Sequence, residues 1–168
     1  KDSYNYEVPV KEIEPNKWVM YLDKGPTFSF KDFAARMMAR LISYFLKQDQ
    51  KKLTILTATS GDTGGAVADA FYGLENIDVI VLFPRTEISE RQRRQMTTLG
   101  KNVTAISVDG KFDHCQALVK EAFADPELKF INLSSANSIN FGRLLPQSVY
   151  YFYAYSRIVK DESPIGFC

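Results

Sequence analysis

The sequence predicts an α/β fold, a parallel sheet flanked by helices. Three observations lead there. Strand-like and helix-like runs alternate four times along the chain. The connections between them are short, which favours parallel strands joined by right-handed helical crossovers. Hydrophobic residues make up 45% of the 168 and charged residues 24%, enough apolar material for a core under a polar surface.

Residues 1–23 are mixed in character, with a strand candidate at Trp18–Leu22, and Gly25-Pro26 is a turn signal. Phe33, Met37, Met38, Leu41, Ile42, Phe45 and Leu46 then recur at three- and four-residue spacing, which predicts an amphipathic helix over about 32–47. Asp32 lies near its start, where a carboxylate suits the positive end of the helix dipole. After Lys51-Lys52 the period changes, and Leu53-Thr54-Ile55-Leu56-Thr57 reads as a buried strand. A Gly-rich turn follows at 60–65, with a helix from Ala66 to Phe71. Ile77–Phe83 is the next strand, ended by Pro84. Ser89–Leu99 reads as a helix with Ser89 as N-cap, and Val103–Val108 as a third strand. Phe112, Cys115, Leu118, Val119, Ala122 and Phe123 line one helical face. Phe130–Leu133 is a fourth strand candidate, and a long helix rich in Tyr and Phe is predicted over about 139–159. Pro164-Ile165-Gly166-Phe167-Cys168 resembles the opening of a buried strand, and the first residue is Lys, so the chain is expected to be truncated at both ends.

A formal net charge of +1 gives no reason to expect nucleic acid or an anionic membrane as partner. Arg91, Arg93 and Arg94 read as a solvated helix face. Cys115 and Cys168 have neither zinc nor CxxC spacing, and the single histidine, His114, cannot form a metal cluster, so no metal site is expected. Two reduced thiols, no secretory signal and no long apolar stretch fit a cytoplasmic protein. The tyrosines from Tyr150 to Tyr155 wrap a helix and are expected to pack.

Three constellations could carry chemistry. Thr59-Ser60-Gly61-Asp62-Thr63-Gly64-Gly65 joins a buried strand to a helix, the place where an open α/β sheet collects ligands. Its glycines permit close backbone approach, and its helix-start amides with the Ser60 and Thr63 hydroxyls would hold a carboxylate or phosphate. It lacks the GxGxxG fingerprint and the P-loop Lys, and an ordinary strand-to-helix turn explains it equally well. Lys31 lies among Phe28, Phe30 and Phe33, which would desolvate its amine and favour the neutral, nucleophilic form. Alone, a helix-start lysine usually points into water. Ser134-Ser135-Ala136-Asn137-Ser138-Ile139-Asn140-Phe141-Gly142-Arg143 again joins strand to helix, with hydroxyls, amides and a guanidinium suited to an oxyanion. A polar capping loop with a surface arginine is the alternative.

Together and in this order, the three elements resemble the threonine synthases. The matching stretches are Gly25 to Phe33, Ala58 to Gly64 and Ser134 to Arg143, and Ser107–Val119 with Asp113, Cys115 and Gln116 is also family-like. The resemblance runs from about Tyr21 to Phe152. It implies the fold-type II architecture of pyridoxal-phosphate (PLP) enzymes, the tryptophan synthase β family, and mainly its smaller domain. By that likeness Lys31 is the catalytic residue and holds PLP as a Schiff base, with Asp62 and Thr63 also near the cofactor. Ser60, Gly61, Asp62, Thr63 and Gly64 would grip the substrate carboxylate, and Asn137, Ser138 and Arg143 would bind the phosphate of O-phospho-L-homoserine. The implied reaction converts that substrate and water to L-threonine and phosphate. Family members usually carry His before the Gly-Pro-Thr run, where this chain has Lys24. The family's cup for the PLP phosphate is expected after Cys168, so the isolated chain is expected to be inactive.

By the same likeness, residues 1–50 form an approach segment and cofactor-lysine helix, 51–160 a parallel α/β sheet domain, and 161–168 the first strand of a larger domain. Two other functions share these motifs. A threonine-synthase-like PLP phospho-lyase would release 2-oxobutyrate instead of threonine, and a non-enzymatic α/β phosphate-binding module would not need Lys31.

Overall fold

The computed structural model describes residues 3–161 and 164–168. Its centre is a four-stranded, all-parallel sheet built from β3 (Leu53–Ala58), β4 (Ile77–Pro84), β5 (Val103–Val108) and β6 (Leu133–Ser134), in the order β5-β4-β3-β6. A short antiparallel hairpin, β1 (Val10–Glu14) with β2 (Lys17–Met20), stands apart from it. The helices are α1 (Lys31–Asp49), α2 (Asp62–Phe71), α3 (Glu90–Thr97), α4 (Phe112–Ala124), α5 (Phe141–Gln147) and α6 (Val149–Ile158). None of the described helices is long and apolar enough to cross a membrane.

Strand pleating explains how the helices are distributed. Side chains alternate between faces with period two. On β4, Ile77, Val79, Val81 and Phe83 join Ala35, Met38 and Ala39 of α1, Ala66, Val67 and Phe71 of α2 and Met96 of α3 in the larger core. Ile80 and Leu82 turn the other way and meet Cys115 and Val119 of α4 in a smaller core with Leu56 and Ala58. Both sheet faces are thus covered, which is why β3 and β4 read as continuous apolar runs.

The structure corrects several expectations. Helix α2 begins at Asp62, so Asp62 to Gly65 of the residues read as a turn form its first helical turn. The fourth strand is displaced: Phe130 is 84% exposed, and pairing with β3 starts at Leu133. The helix expected over 139–159 is two helices meeting at Ser148. Pro146 has no N–H to offer the preceding turn, and Ser148 closes α5 by donating its N–H to the Leu145 carbonyl at 3.1 Å. Strand β1 had no visible signal because most of it is exposed and its two apolar residues, Val10 and Ile13, do not fall at period-two spacing. Leu41 and Phe45, counted on the apolar face of α1, are exposed, as are Leu118 and Phe123 of α4. Among the described residues, 164–168 pair with no strand, and Phe167 sets its ring edge-on to Tyr151, with centroids 5.0 Å apart. Glu162 and Ser163, within the strand expected at 161–168, lie outside the described residues.

Phe71 is fully buried at the end of α2, within the larger core. Phe71→Ala is expected to lower unfolding stability by about 3–5 kcal/mol, whereas Phe130→Ala should change it by no more than about 0.5 kcal/mol. Denaturant midpoints at constant m-value check both.

Candidate functional site

All three sequence constellations meet at the carboxyl end of β3. The first is the loop before α1. Its shape is set by Asp32, which is fully buried and accepts hydrogen bonds from the Thr27 N–H (3.0 Å) and the Thr27 hydroxyl (2.5 Å). A turn closed by the Phe28 N–H on the Gly25 carbonyl (3.1 Å) brings Thr27 into place. Gly25 is required there, because a Cβ would collide with the Asp32 carboxylate. Asp32 therefore does more than complement a helix dipole: it fastens the loop to the helix. That fixes Lys31, the first residue of α1. Burial pushes the Asp32 carboxyl above its ordinary value, Asp69 adds to the rise, and the Thr27 bonds oppose it.

The second constellation is the turn between β3 and α2. Here Thr59, buried, organises the backbone: its Oγ1 accepts from the Gly61 N–H (2.9 Å) and the Gly64 N–H (2.8 Å). Gly61 has φ +147°, a conformation that L side chains rarely adopt. Gly64 leaves room for Met96 and Thr59, which a Cβ would strike. The amides of Gly61 and Gly64 are thus turned inward to Thr59. Asp62 and Thr63 contribute first-turn amides, which a helix start leaves without intrahelical acceptors. Ser60 and Asp62 are exposed at the mouth of the turn, and Thr63 is half-buried.

These two loops touch. Lys31 Nζ lies 3.5 Å from Asp62 Oδ2, with the lysine side chain 22% exposed and the aspartate 51% exposed. The amine also sits 4.7 Å from the centroid of the Phe30 ring. The other oxygen of Asp62 accepts from Gln92 Nε2 at 2.8 Å. Gln92 was not singled out by sequence, although its place three residues after the Ser89 N-cap is the signature of a capping box, and that box is formed. Thr59 was likewise read only as part of a turn.

The third loop docks on the same strand end. Asn137 Nδ2 donates to the Ala58 carbonyl at 2.8 Å, and the Ala136 N–H reaches Thr57 Oγ1 at 3.4 Å. Asn140 caps α5 by accepting from the Gly142 N–H (2.8 Å) and ties back to the Ser135 carbonyl (2.7 Å). Ser138 is exposed. Arg143 was allowed to be a surface arginine; it is only 3% exposed. Its Nη1 donates to the Ala136 carbonyl at 2.9 Å, while its Nε is buried without a partner among the described residues. Burial pushes the guanidinium pKa down. Tyr150 lies beside it and also packs against Phe33 of α1, ring centroids 5.7 Å apart. Burial, with its neighbour Tyr151, pushes the Tyr150 hydroxyl up to about 12.

The remaining candidates lie elsewhere. His114 accepts from the Lys111 N–H through Nδ1 (3.0 Å) and caps α4 on the surface. Cys115 is buried in the smaller core. Lys24 pairs with Asp23 at 3.1 Å and lies 5.4 Å from the Tyr21 ring centroid. Arg93 and Arg94 both pair with Glu90, and Arg91 covers the Phe28 ring, so the basic run is a solvated helix face as expected.

The family model described as pyridoxal-phosphate dependent enzyme matches residues 7–144. A threonine synthase of Buchnera aphidicola subsp. Acyrthosiphon pisum is 51% identical over 164 residues, which is 96% of this chain and 38% of the relative. The threonine synthase of Escherichia coli K12 is 48% identical over 160 residues, 95% of this chain and 37% of its own length. Among solved structures, PLP-bound threonine synthase from Brucella melitensis superposes with a TM-score of 0.87 at 44% identity, over 94% of this chain and 34% of that one. Threonine synthase from Escherichia coli superposes with a TM-score of 0.85 at 48% identity, over 95% of this chain and 37% of that one. The chain thus spans well under half the length of the curated relatives it matches.

The raised Asp32 pKa carries a pH signature. A carboxyl whose folded pKa lies above its unfolded one binds protons more tightly when folded. Stability is therefore expected to decline as pH rises from about 3.8 through the elevated value. Asp32→Asn, which keeps an acceptor for the Thr27 N–H, should flatten that decline. Asp32→Ala should also remove that dependence, and in addition be about 1–3 kcal/mol less stable than Asp32→Asn, by leaving the Thr27 donors unpaired. Denaturation curves from acid to neutral pH distinguish the two.

Proposed function

From the premise that this chain belongs to the pyridoxal-phosphate dependent enzymes, we propose that it is the front portion of a threonine synthase. The complete enzyme would convert O-phospho-L-homoserine and water to L-threonine and phosphate. The observation that carries this reading is the meeting of Lys31 and Asp62 at 3.5 Å, on the strand end where Asn137 docks the third loop.

The residues suit the cofactor. Lys31 presents a primary amine that is partly shielded yet reachable, beside a carboxylate and an aromatic face. When bound, PLP supplies an electron sink for negative charge developing on substrate carbon. Lys31 would hold the cofactor through Nζ, with Asp62 and Thr63 beside it. Once displaced, the Lys31 amine would move protons at Nζ as a positioned general base. Ser60 and Thr63, with the turn from Gly61 to Gly64, would orient the substrate carboxylate at the start of α2, where the helix dipole favours an anion.

Arg143 supports an anionic second end to the substrate. A buried cation is costly without a compensating charge, and this one has a carbonyl as partner and a buried, unsatisfied Nε. A phosphate beside it, with Asn137 and Ser138, would supply the missing charge. The division into an approach segment with the lysine helix (1–50), a sheet domain (51–160) and an entry into a larger domain (161–168) belongs to the same reading. So does a cytoplasmic location.

In the complete enzyme, Lys31→Ala should abolish the visible absorbance band of lysine-bound PLP and the formation of threonine. Arg143→Ala should raise KM for O-phospho-L-homoserine by about ten- to a hundred-fold, the weight of a charge-assisted hydrogen bond. Release of 2-oxobutyrate in place of threonine would instead assign the phospho-lyase activity. The isolated 168-residue chain is expected to form neither the band nor threonine when PLP is added; a stable band followed by turnover would refute that.

A further inference from the structure

We propose that Gln92 is a positioning residue, holding the Asp62 carboxylate toward the Lys31 amine; this rests on the reading of Lys31 as the cofactor lysine. Asp62 sits at the first position of α2 with its side chain half in solvent, where nothing in its own helix fixes its rotamer. Gln92 reaches across from α3 and donates Nε2 to Asp62 Oδ1 at 2.8 Å, which leaves Oδ2 aimed at Lys31 Nζ.

The glutamine is itself held from behind. Its Oε1 accepts from both the N–H (3.0 Å) and the hydroxyl (2.9 Å) of Ser89. With both donors on the oxygen, the amide nitrogen must face Asp62. The approach is close enough that a Cβ at Gly61 would run into the glutamine amide. One turn further along α3, Gln95 Nε2 donates to the Thr27 carbonyl at 3.3 Å, inside the lysine loop. A single short helix therefore braces both partners of the Lys31–Asp62 pair.

The capping role of Gln92 can be separated from the positioning role. A glutamate at this position also completes a capping box, since its carboxylate still accepts from Ser89. It cannot donate to Asp62, and it sets a second carboxylate against the first. In the complete enzyme, Gln92→Glu should therefore keep its melting temperature. It should also slow formation of the Lys31-bound PLP absorbance band about five-fold or more, a low share for a hydrogen bond to an exposed charge. On an Asp62→Asn background the same substitution should have no further effect, because the amide at 62 can donate to the new carboxylate; the double-mutant cycle measures this coupling. A band that is lost in Lys31→Ala but forms at the parent rate in Gln92→Glu would overturn the inference and leave the cofactor reading standing. Early melting with equally slowed capture on both backgrounds would also overturn it, assigning Gln92 to helix capping alone. Parent and Lys31→Ala proteins behaving alike would overturn both readings.

Discussion

Every part of the candidate site depends on where β3 ends. A parallel strand points all its crossover connections toward the same edge of the sheet, and β3 lies inside the sheet with β4 on one side and β6 on the other. Its last two residues and the one that follows supply three anchor points in succession. Thr57 Oγ1 receives the Ala136 amide, the Ala58 carbonyl receives the Asn137 side chain, and Thr59 Oγ1 receives the Gly61 and Gly64 amides. Loops distant in sequence are thereby fixed on one strand terminus, which is rigid because both faces of the sheet are packed. The lysine loop joins them from outside the sheet, carried by α1 and clamped through Asp32.

Much of this was legible in the sequence because the signals were local. Short apolar runs located the three long strands, and three- and four-residue spacing located the longer helices. Ser89 announced the start of α3, and the glycines marked the turn after β3. What escaped notice depended on tertiary context. The start of α2 was hidden because Gly64 and Gly65 argue against helix on propensity alone. They are tolerated inside one because Met96 and Gln95 of α3 pack where their side chains would be. Strand β1 escaped because a solvent-exposed hairpin has no hydrophobic periodicity to detect. The break at Ser148 could have been inferred from Pro146, but the aromatic run on either side masked it.

The site residues divide in the same way. Lys31, Asp62 and Asn137 stood out because they sit in motifs, and their convergence at one strand end is a property of the fold. Gln92 lies in a helix that sequence marks as polar and solvated, and only the approach of α3 to the mouth of the β3–α2 turn gives its amide nitrogen a partner. A polar helix with one buried methionine is a weak contributor to a core. Its polar contacts, to Asp62 through Gln92 and to Thr27 through Gln95, give a reason for its position that packing alone does not.

Asp32 and Arg143 show how burial can be read chemically. Each carries an ionisable group into the interior, and each is penalised for it in the expected direction, the carboxyl raised and the guanidinium lowered. Asp32 is answered locally: both of its oxygens are engaged by Thr27, five residues away, within one loop. Such a group is complete as it stands, and its purpose is to hold shape. Arg143 is answered only in part, since a guanidinium has five N–H donors, one of its nitrogens meets a carbonyl and another is buried with no acceptor among the described residues. A protein does not keep a half-satisfied cation in its interior for stability, because an apolar side chain of similar volume would serve better. The unequal satisfaction of these two charges fits the proposal that Arg143 meets the substrate phosphate, a partner that Asp32 does not need.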